Sequence, residues 1–437
     1  MKKIIFFLIL VALFISTTLI ITLSTIGIET NRFNNLISKK INQINSNVNL
    51  KLNLIKFKID ISEISLFLDT LNPKINYRDE LIPVKSVKVY IDFKSIIGSN
   101  AKIKKINLVL EELDINQLKK LSTTIKPSNF KSILNNKIKQ GKIISEFEFY
   151  LDNNVLENFI AKGSVVNLKT EITKNLNLEK INFNFFADKT DVLIQNIFGE
   201  TDFAKIIDGD LKLILSPEIL LKANFKTNLK FDKKNSLSLK NSIKKFKFAN
   251  DIVDLEADLS NNLSISFDKT YKVKKYQYKN TGKILKANFN FKKPKMNYFF
   301  NEKINRLILV NSEIKTNFNP KNNNIIISGK YSKNNEDLLA FDLDNNFNKK
   351  LLNLRLNFEY NKDLKFDLIN YQKPTGSIAN FSLNLDKKKN NINIKKLKLT
   401  EKNNLIIIED LKFNKKNFLS LKKISVKTNK NGIKNND

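Results

Sequence analysis

From residue 50 onward the chain alternates apolar with polar residues, and this period of two constrains its fold more tightly than any other feature. Along 352–371, Leu352, Leu354, Leu356, Phe358 and Tyr360 fall on one side of an extended chain, and Asn353, Arg355, Asn357 and Glu359 on the other. After Asn361-Lys362-Asp363 the alternation restarts at Leu364, Phe366 and Leu368. Successive side chains of a strand point to opposite faces, so this reads as strand, turn and strand, each apolar on one face only. The pattern recurs at Val87, Val89, Ile91 and Phe93, at Ile106, Leu108 and Leu110, and at Phe147, Phe149 and Leu151. It recurs again at Ile181, Phe183 and Phe185, at Ala287, Phe289 and Phe291, and at Phe381, Leu383 and Leu385. About two dozen such segments, joined by short Asn/Lys/Asp turns, predict a mainly β protein built on a long antiparallel sheet.

The period differs in three places. Ile4 to Ile28 is an uncharged apolar run behind Lys2 and Lys3. About 25 helical residues at about 1.5 Å each span about 37 Å, enough to cross a bilayer. The run exceeds the apolar core of a cleaved signal peptide and no Ala-x-Ala follows it. Residues 1–30 are therefore expected to be a retained single-pass anchor. Lys2 and Lys3 place the N-terminus in the cytoplasm, against the opposing pull of Arg32, Lys39 and Lys40, and the one-sided bulk of the chain lies across the membrane. Next, Phe33, Leu36, Ile37, Ile41 and Ile44 repeat at helical spacing, which predicts an amphipathic helix over 31–46 capped by Thr30 or Asn31. Third, Ile115, Leu118 and Leu121, then Phe130, Ile133, Leu134 and Ile138 behind Pro127-Ser128, predict one or two short helices near 114–140. With no Gly/Ser-rich linker, the remainder of 47–437 reads as one continuous sheet, its seven prolines at segment edges.

Composition narrows the chemistry. No cysteine and no histidine occur among the 437 residues, which excludes thiolate sites, disulfides, His-ligated metals and Ser-His-Asp catalysis. With 10 glycines there is no phosphate-cradling loop. Asp342, Asp344 and Asn346 open like a calcium loop, but Phe347 stands where Gly is needed and Asn353 where the closing Glu belongs. Asp208-Gly209-Asp210 reads as a turn. No enzyme, cofactor or metal site is nominated. The net charge of +33 comes from lysines dispersed among strands and turns, in a chain so rich in Lys, Asn and Ile that base-composition bias explains much of it. The aromatics lie on the face opposite the lysines, which counts against nucleic acid as a partner.

The apolar face needs a cover. Two facing sheets, a membrane barrel, or one sheet curled into an elongated groove whose apolar side meets lipid chains would each supply it. The sequence favours the groove: a retained anchor, many similar strands, and no domain linkers. The expected groove face comprises Phe147, Phe149, Ile181, Phe183, Phe185, Phe289, Phe291, Leu352, Leu354, Leu356, Phe358, Phe381, Leu383 and Leu385. Glu148, Asn288, Arg355 and Asn384, one residue away, are expected to face water.

The order of segments resembles the AsmA-like proteins. An N-terminal anchor is followed by ETNRFNNLISKKINQ, by NLKLNLIKFKIDISEISLFL, and by VKSVKVYIDFKSIIGSNAKIKKINLVLEELDI before the helical insert. The resemblance covers about residues 1–115. It implies a periplasmic β-groove anchored in the inner membrane, acting in phospholipid transfer toward the outer membrane or in envelope homeostasis, with acyl chains as partners and no catalytic residues. A non-catalytic envelope scaffold or outer-membrane assembly factor, packing its apolar face against envelope proteins, is the competing expectation.

Overall fold

The computed structural model describes residues 2–32, 34–44, 46–61, 65–71, 73–78, 80–92, 102–123, 129–152, 155–173, 176–215, 217–232, 251–268, 270, 272–297, 302–366, 371–373, 375–415, 417–430 and 433–436. The chain is mainly β. Among the described residues, twenty-four strands belong to one antiparallel sheet, and the others form a three-stranded and a two-stranded sheet. Two compact units divide it: one takes in 1–172, 177–197 and 212–217, the other 173–176, 198–211 and 218–437.

The first unit starts with helix α1 (Lys2–Thr25), long and apolar enough to span a bilayer. Its few polar side chains are satisfied within the helix: Thr18 Oγ1 donates to the Phe14 carbonyl at 2.8 Å and Thr22 Oγ1 to the Thr18 carbonyl at 2.8 Å. Gly27 ends it in the left-handed conformation at φ 76°, with its N–H on the Thr22 carbonyl at 2.9 Å. The chain then enters a strand, Ile28–Thr30, whose Ile28, Glu29 and Thr30 pair with Phe57, Lys56 and Ile55. Only Ile26 and Gly27 separate α1 from the sheet. The expected helix over 31–46 is accordingly shorter, α2 (Asn34–Ile44), and Thr30 caps nothing in it; its hydroxyl accepts from Arg32 N–H at 3.2 Å. Phe33 lies outside the described residues.

The strands Leu54–Asp60, Ser65–Leu71, Val84–Ile91, Ile103–Leu110, Ile138–Asp152 and Val155–Thr173 pair in that order. The insert forms α3 (Ile115–Thr123) and α4 (Asn129–Asn136). Ile138, expected at the end of a helix, opens a strand instead. The start of α3 is fixed by reciprocal capping: Asp114 Oδ1 accepts from the N–H groups of Asn116 and Gln117 at 2.7 and 2.9 Å, while Gln117 Oε1 accepts from Asp114 N–H at 2.9 Å. Pro127 and Ser128 fall outside the described residues, as does Phe93.

In the second unit each strand from Ile219–Phe231 to Asn404–Asn414 within the large sheet pairs with the next, through Ile252–Phe267, Val273–Asn297, Glu302–Phe318, Asn323–Lys333, Leu339–Phe347, Leu351–Tyr360, Ala379–Lys388 and Asn391–Glu401. Asn404–Asn414 then pairs with Asn417–Ser420 and with Lys423–Lys430, and the latter with Ile433–Asn436. Three expectations are corrected here. Leu364–Phe366 does not continue the large sheet after the 361–363 turn; it pairs with Tyr371–Lys373 in a separate two-stranded sheet. A period of two fixes which face is apolar but not which strand is the neighbour. Pro294 lies inside the strand Val273–Asn297, where the pairing register breaks between Asn290 and Lys295, a position at which a missing N–H is tolerated. Asp208-Gly209-Asp210 is not a turn but the middle of the strand Ala204–Ile214.

Candidate functional site

Directly paired residues of antiparallel strands share a face, so register defines continuous cross-strand rows. In the first unit one row runs Phe57, Leu68, Val89, Ile106, Phe149, Phe159, and the row beside it Ile55, Thr70, Val87, Leu108, Phe147, Ala161. Thr70, the one polar member, is neutralised where it sits: its hydroxyl donates to the Val87 carbonyl at 2.9 Å and accepts from Val87 N–H at 3.1 Å. The rings of Phe147 and Phe149 lie parallel, 6.1 Å apart. Phe185 reaches the same face, because its ring packs over Gly163, which pairs with Ser145 on the Phe147 side of its strand.

Part of this face is roofed. Ile37 of α2 is buried, Ser38 Oγ donates to the Leu50 carbonyl at 2.8 Å, and α2 thereby docks on the small sheet Val48–Lys51, Lys74–Tyr77, Glu80–Ile82. Between this roof and the large sheet is a cavity of about 310 Å³. Its lining is wholly apolar: Ile41, Val48, Leu50, Ile75 and Ile82 on the roof side, and Val87, Ile106, Leu108, Phe149, Leu151 and Leu156 on the sheet side. Such a void accepts apolar matter and offers water no partners.

In the second unit the longest row is Ile314, Ile327, Leu343, Leu356, Leu383, Leu397, Ile408, Ile424, eight strands without a polar member. A parallel row is Phe341, Phe358, Phe381, Leu399, Ile406, Val426, with Phe358 and Phe381 stacked at 5.0 Å. Leu354 and Leu385 pair on the same face, and Leu352 pairs with Phe347 beside them. Phe289 joins the face through Ile252 and Leu307, with Phe291 two residues on. Within these rows most side chains are half-buried: Leu352, Leu354, Leu356, Phe358, Leu383 and Leu385 are all partly open, as are Phe147, Phe149, Phe183, Phe185, Phe289 and Phe291. Ile181 and Phe381 are buried. Phe381 is covered by the two-stranded hairpin, whose Leu364 and Tyr371 pack with Tyr360, Ala379, Leu399 and Ile406.

The face is not uniformly apolar. Asn261 and Asn280 pair on it, both buried, between the apolar rows. Asn261 Nδ2 donates to the Phe225 carbonyl and to Thr227 Oγ1, each at 3.1 Å, and its Oδ1 accepts from Tyr278 OH at 2.7 Å and Asn280 Nδ2 at 2.8 Å. Burial raises the Tyr278 phenol above its ordinary value. Lys333 and Glu401 are also buried on this side, Lys333 with its ammonium 4.3 Å from the centre of the Tyr360 ring.

On the opposite face the four expected solvent positions divide. Arg355 is exposed and Asn384 partly open. Glu148 is partly buried; Tyr150 OH donates to it at 2.7 Å and Lys162 pairs with it at 3.2 Å, and chiefly the tyrosine bond lowers its carboxyl below the ordinary value. Asn288 is buried, not exposed: it donates to Asp254 at 3.2 Å and accepts from Arg306 Nε at 2.8 Å. Long side chains laid across a sheet bury their short polar neighbours, an effect that alternation does not register. Among the described residues no group of three or more acidic side chains is placed to hold a metal ion.

Sequence periodicity marks the apolar positions strand by strand but not their continuity across strands. The cavity roof at Val48, Leu50, Ile75 and Ile82, and the row members Leu343, Leu397, Ile408 and Ile424, went unnamed although the same alternation carries them. Nothing in the sequence signalled the Asn261–Asn280 pair. No family model, no curated protein and no solved structure matches this chain.

Proposed function

We propose that the apolar face binds the acyl chains of membrane phospholipids, and that the protein is an anchored lipid-carrying sheet rather than an enzyme. The observation that carries this is the eight-strand row from Ile314 to Ile424, an apolar lane whose side chains are half-open rather than packed shut. At about 4.8 Å between strands, eight strands give a lane of about 34 Å, the length of a long acyl chain or more. A buried methylene is worth about 0.8 kcal/mol, and a lane of similar side chains offers similar binding along its length, so a chain can slide without leaving it. The wholly apolar cavity beneath α2 supplies a second seat of the same chemistry. The AsmA-like resemblance adds the cellular setting: an inner-membrane anchor with a cytoplasmic N-terminus, the body in the periplasm, and traffic toward the outer membrane.

The scaffold reading has one observation of its own, the strand pair Leu364–Phe366 and Tyr371–Lys373, polypeptide that covers part of this face. Photo-crosslinkers placed one at a time at Phe149, Phe289, Leu356 and Leu383, with controls at Arg355 and Asn384, separate the two. Lipid adducts at the four apolar positions and few at the controls support carriage. Protein adducts at all four, with no lipid, leave the scaffold.

A further inference from the structure

We propose that the segment around Phe418, Leu419 and Leu421 is a membrane-docking hairpin that settles into the interface of a bilayer bearing anionic headgroups. This goes beyond the lipid-carrying reading and does not depend on it. Every described residue from 414 to 423 is exposed, and three large apolar side chains are among them: Phe418 at 61%, Leu419 at 56% and Leu421 at 37%. Phe418 and Leu419 are neighbours on the strand Asn417–Ser420 and so point to opposite faces of it. A protein partner docking on one face would cover one of them and leave the other in water. A fluid interface that surrounds the strand covers both.

The charges fit the same occupant. Lys415 and Lys416 precede the apolar residues in the chain and Lys422 and Lys423 follow them, so basic residues bracket the apolar segment. Asn414 pairs with Asn417 and Lys415 has φ 58°, which places Lys415 at a tight hairpin turn. The acids nearby are Glu409, whose partner in register is Lys423, and Asp410, 4.0 Å from Lys422, so the hairpin retains a positive excess. Lysines at both ends of an apolar strand can extend along an interface to lipid phosphates while the strand lies in its plane.

The chain has no tryptophan, so Phe418→Trp introduces a single reporter. The full chain, held in amphipol, is mixed with vesicles of phosphatidylcholine alone or with about one-third phosphatidylglycerol, at low and high salt. The expected result is a blue-shifted emission and co-sedimentation with the anionic vesicles, weakened by salt and by neutral lipid. Separately, Phe418→Ser with Leu419→Ser should weaken vesicle binding at least tenfold, and Lys415, Lys422 and Lys423→Gln should reduce it on anionic vesicles only. The serine variant keeps α1, so unchanged binding would mean that the anchor alone carries it and would overturn the proposal. Equal binding to both vesicle types would overturn the charge assignment. A blue shift that appears without vesicles as protein concentration rises, and is lost in the serine variant, would assign the hairpin to a second copy instead.

Discussion

Leu383→Asp tests the apolar lane at its centre. Leu383 is half-buried, paired with Leu356 on one side and Leu397 on the other. Full burial of a leucine side chain is worth about 1.5–3 kcal/mol, so a half-buried one lends the fold about 1 kcal/mol, and the substitution should leave the sheet assembled. Its effect on a ligand is larger. One strand spacing of about 4.8 Å accommodates about four methylenes, and a carboxylate in the lane denies them an apolar contact worth about 3 kcal/mol, or roughly a hundredfold in local occupancy. Ser382→Asp is the matched control: Ser382 is exposed on the other face, opposite Asn357 and Lys398, where a carboxylate gains a cation. The assay is lipid adduct yield from a photo-crosslinker at Leu356 in native membranes, with intact sheet verified by circular dichroism. Leu383→Asp should abolish most of the adduct and Ser382→Asp should not. Equal yields from the two variants, both folded, would refute the assignment of faces and with it the lane.

Three further outcomes follow from the packing. Gly282→Val should destabilise the second unit by about 1–3 kcal/mol in thermal unfolding, because any Cβ there collides with the Asp258 carbonyl oxygen and abuts Leu259; an unchanged transition would mean the strands are not this close. Asn261→Ala should cost about 1–3 kcal/mol by leaving Asn280 and Tyr278 short of a buried acceptor, whereas Asn384→Ala, partly open, should be near neutral in a denaturant titration. Glu148 has a folded-state value below its unfolded one, so its stabilising contribution is complete above about pH 4.3 and is lost as pH falls through the lowered value. Glu148→Gln should therefore flatten that part of the acid limb of a stability–pH profile while leaving the profile above it parallel to wild type.

An alternation of period two and a long uncharged run are local signals, and what they specify was legible in the sequence alone. Alternation placed Phe147, Phe149, Leu352, Leu354, Leu356, Phe358, Phe381, Leu383 and Leu385 on apolar strand faces, and the length of the Ile4–Ile28 run gave a helix able to span a bilayer; the Asp114–Gln117 capping that starts α3 emerged only in the structure. Which strands become neighbours, and whether their apolar faces meet in one plane, was decided only in three dimensions. At Asn311, φ 47°, the chain takes an extra residue, and the break in pairing between Val310 and Glu313 brings Leu307 and Leu309 to the face that Ser312 and Ile314 share. Read by strict alternation, the two halves of that strand would present opposite faces, and the row would break. Bulges of this kind cost little sequence, since an asparagine tolerates the left-handed conformation almost anywhere. Likewise Leu364–Phe366 has the pattern of a sheet strand, yet folds as a separate hairpin, because Tyr360, Phe381 and Leu399 offer it an apolar surface that its own alternation cannot name. Asn288 is buried for the same reason: the side chain that covers it, Arg306, comes from a neighbouring strand, and cross-strand partners are fixed by register rather than by sequence distance.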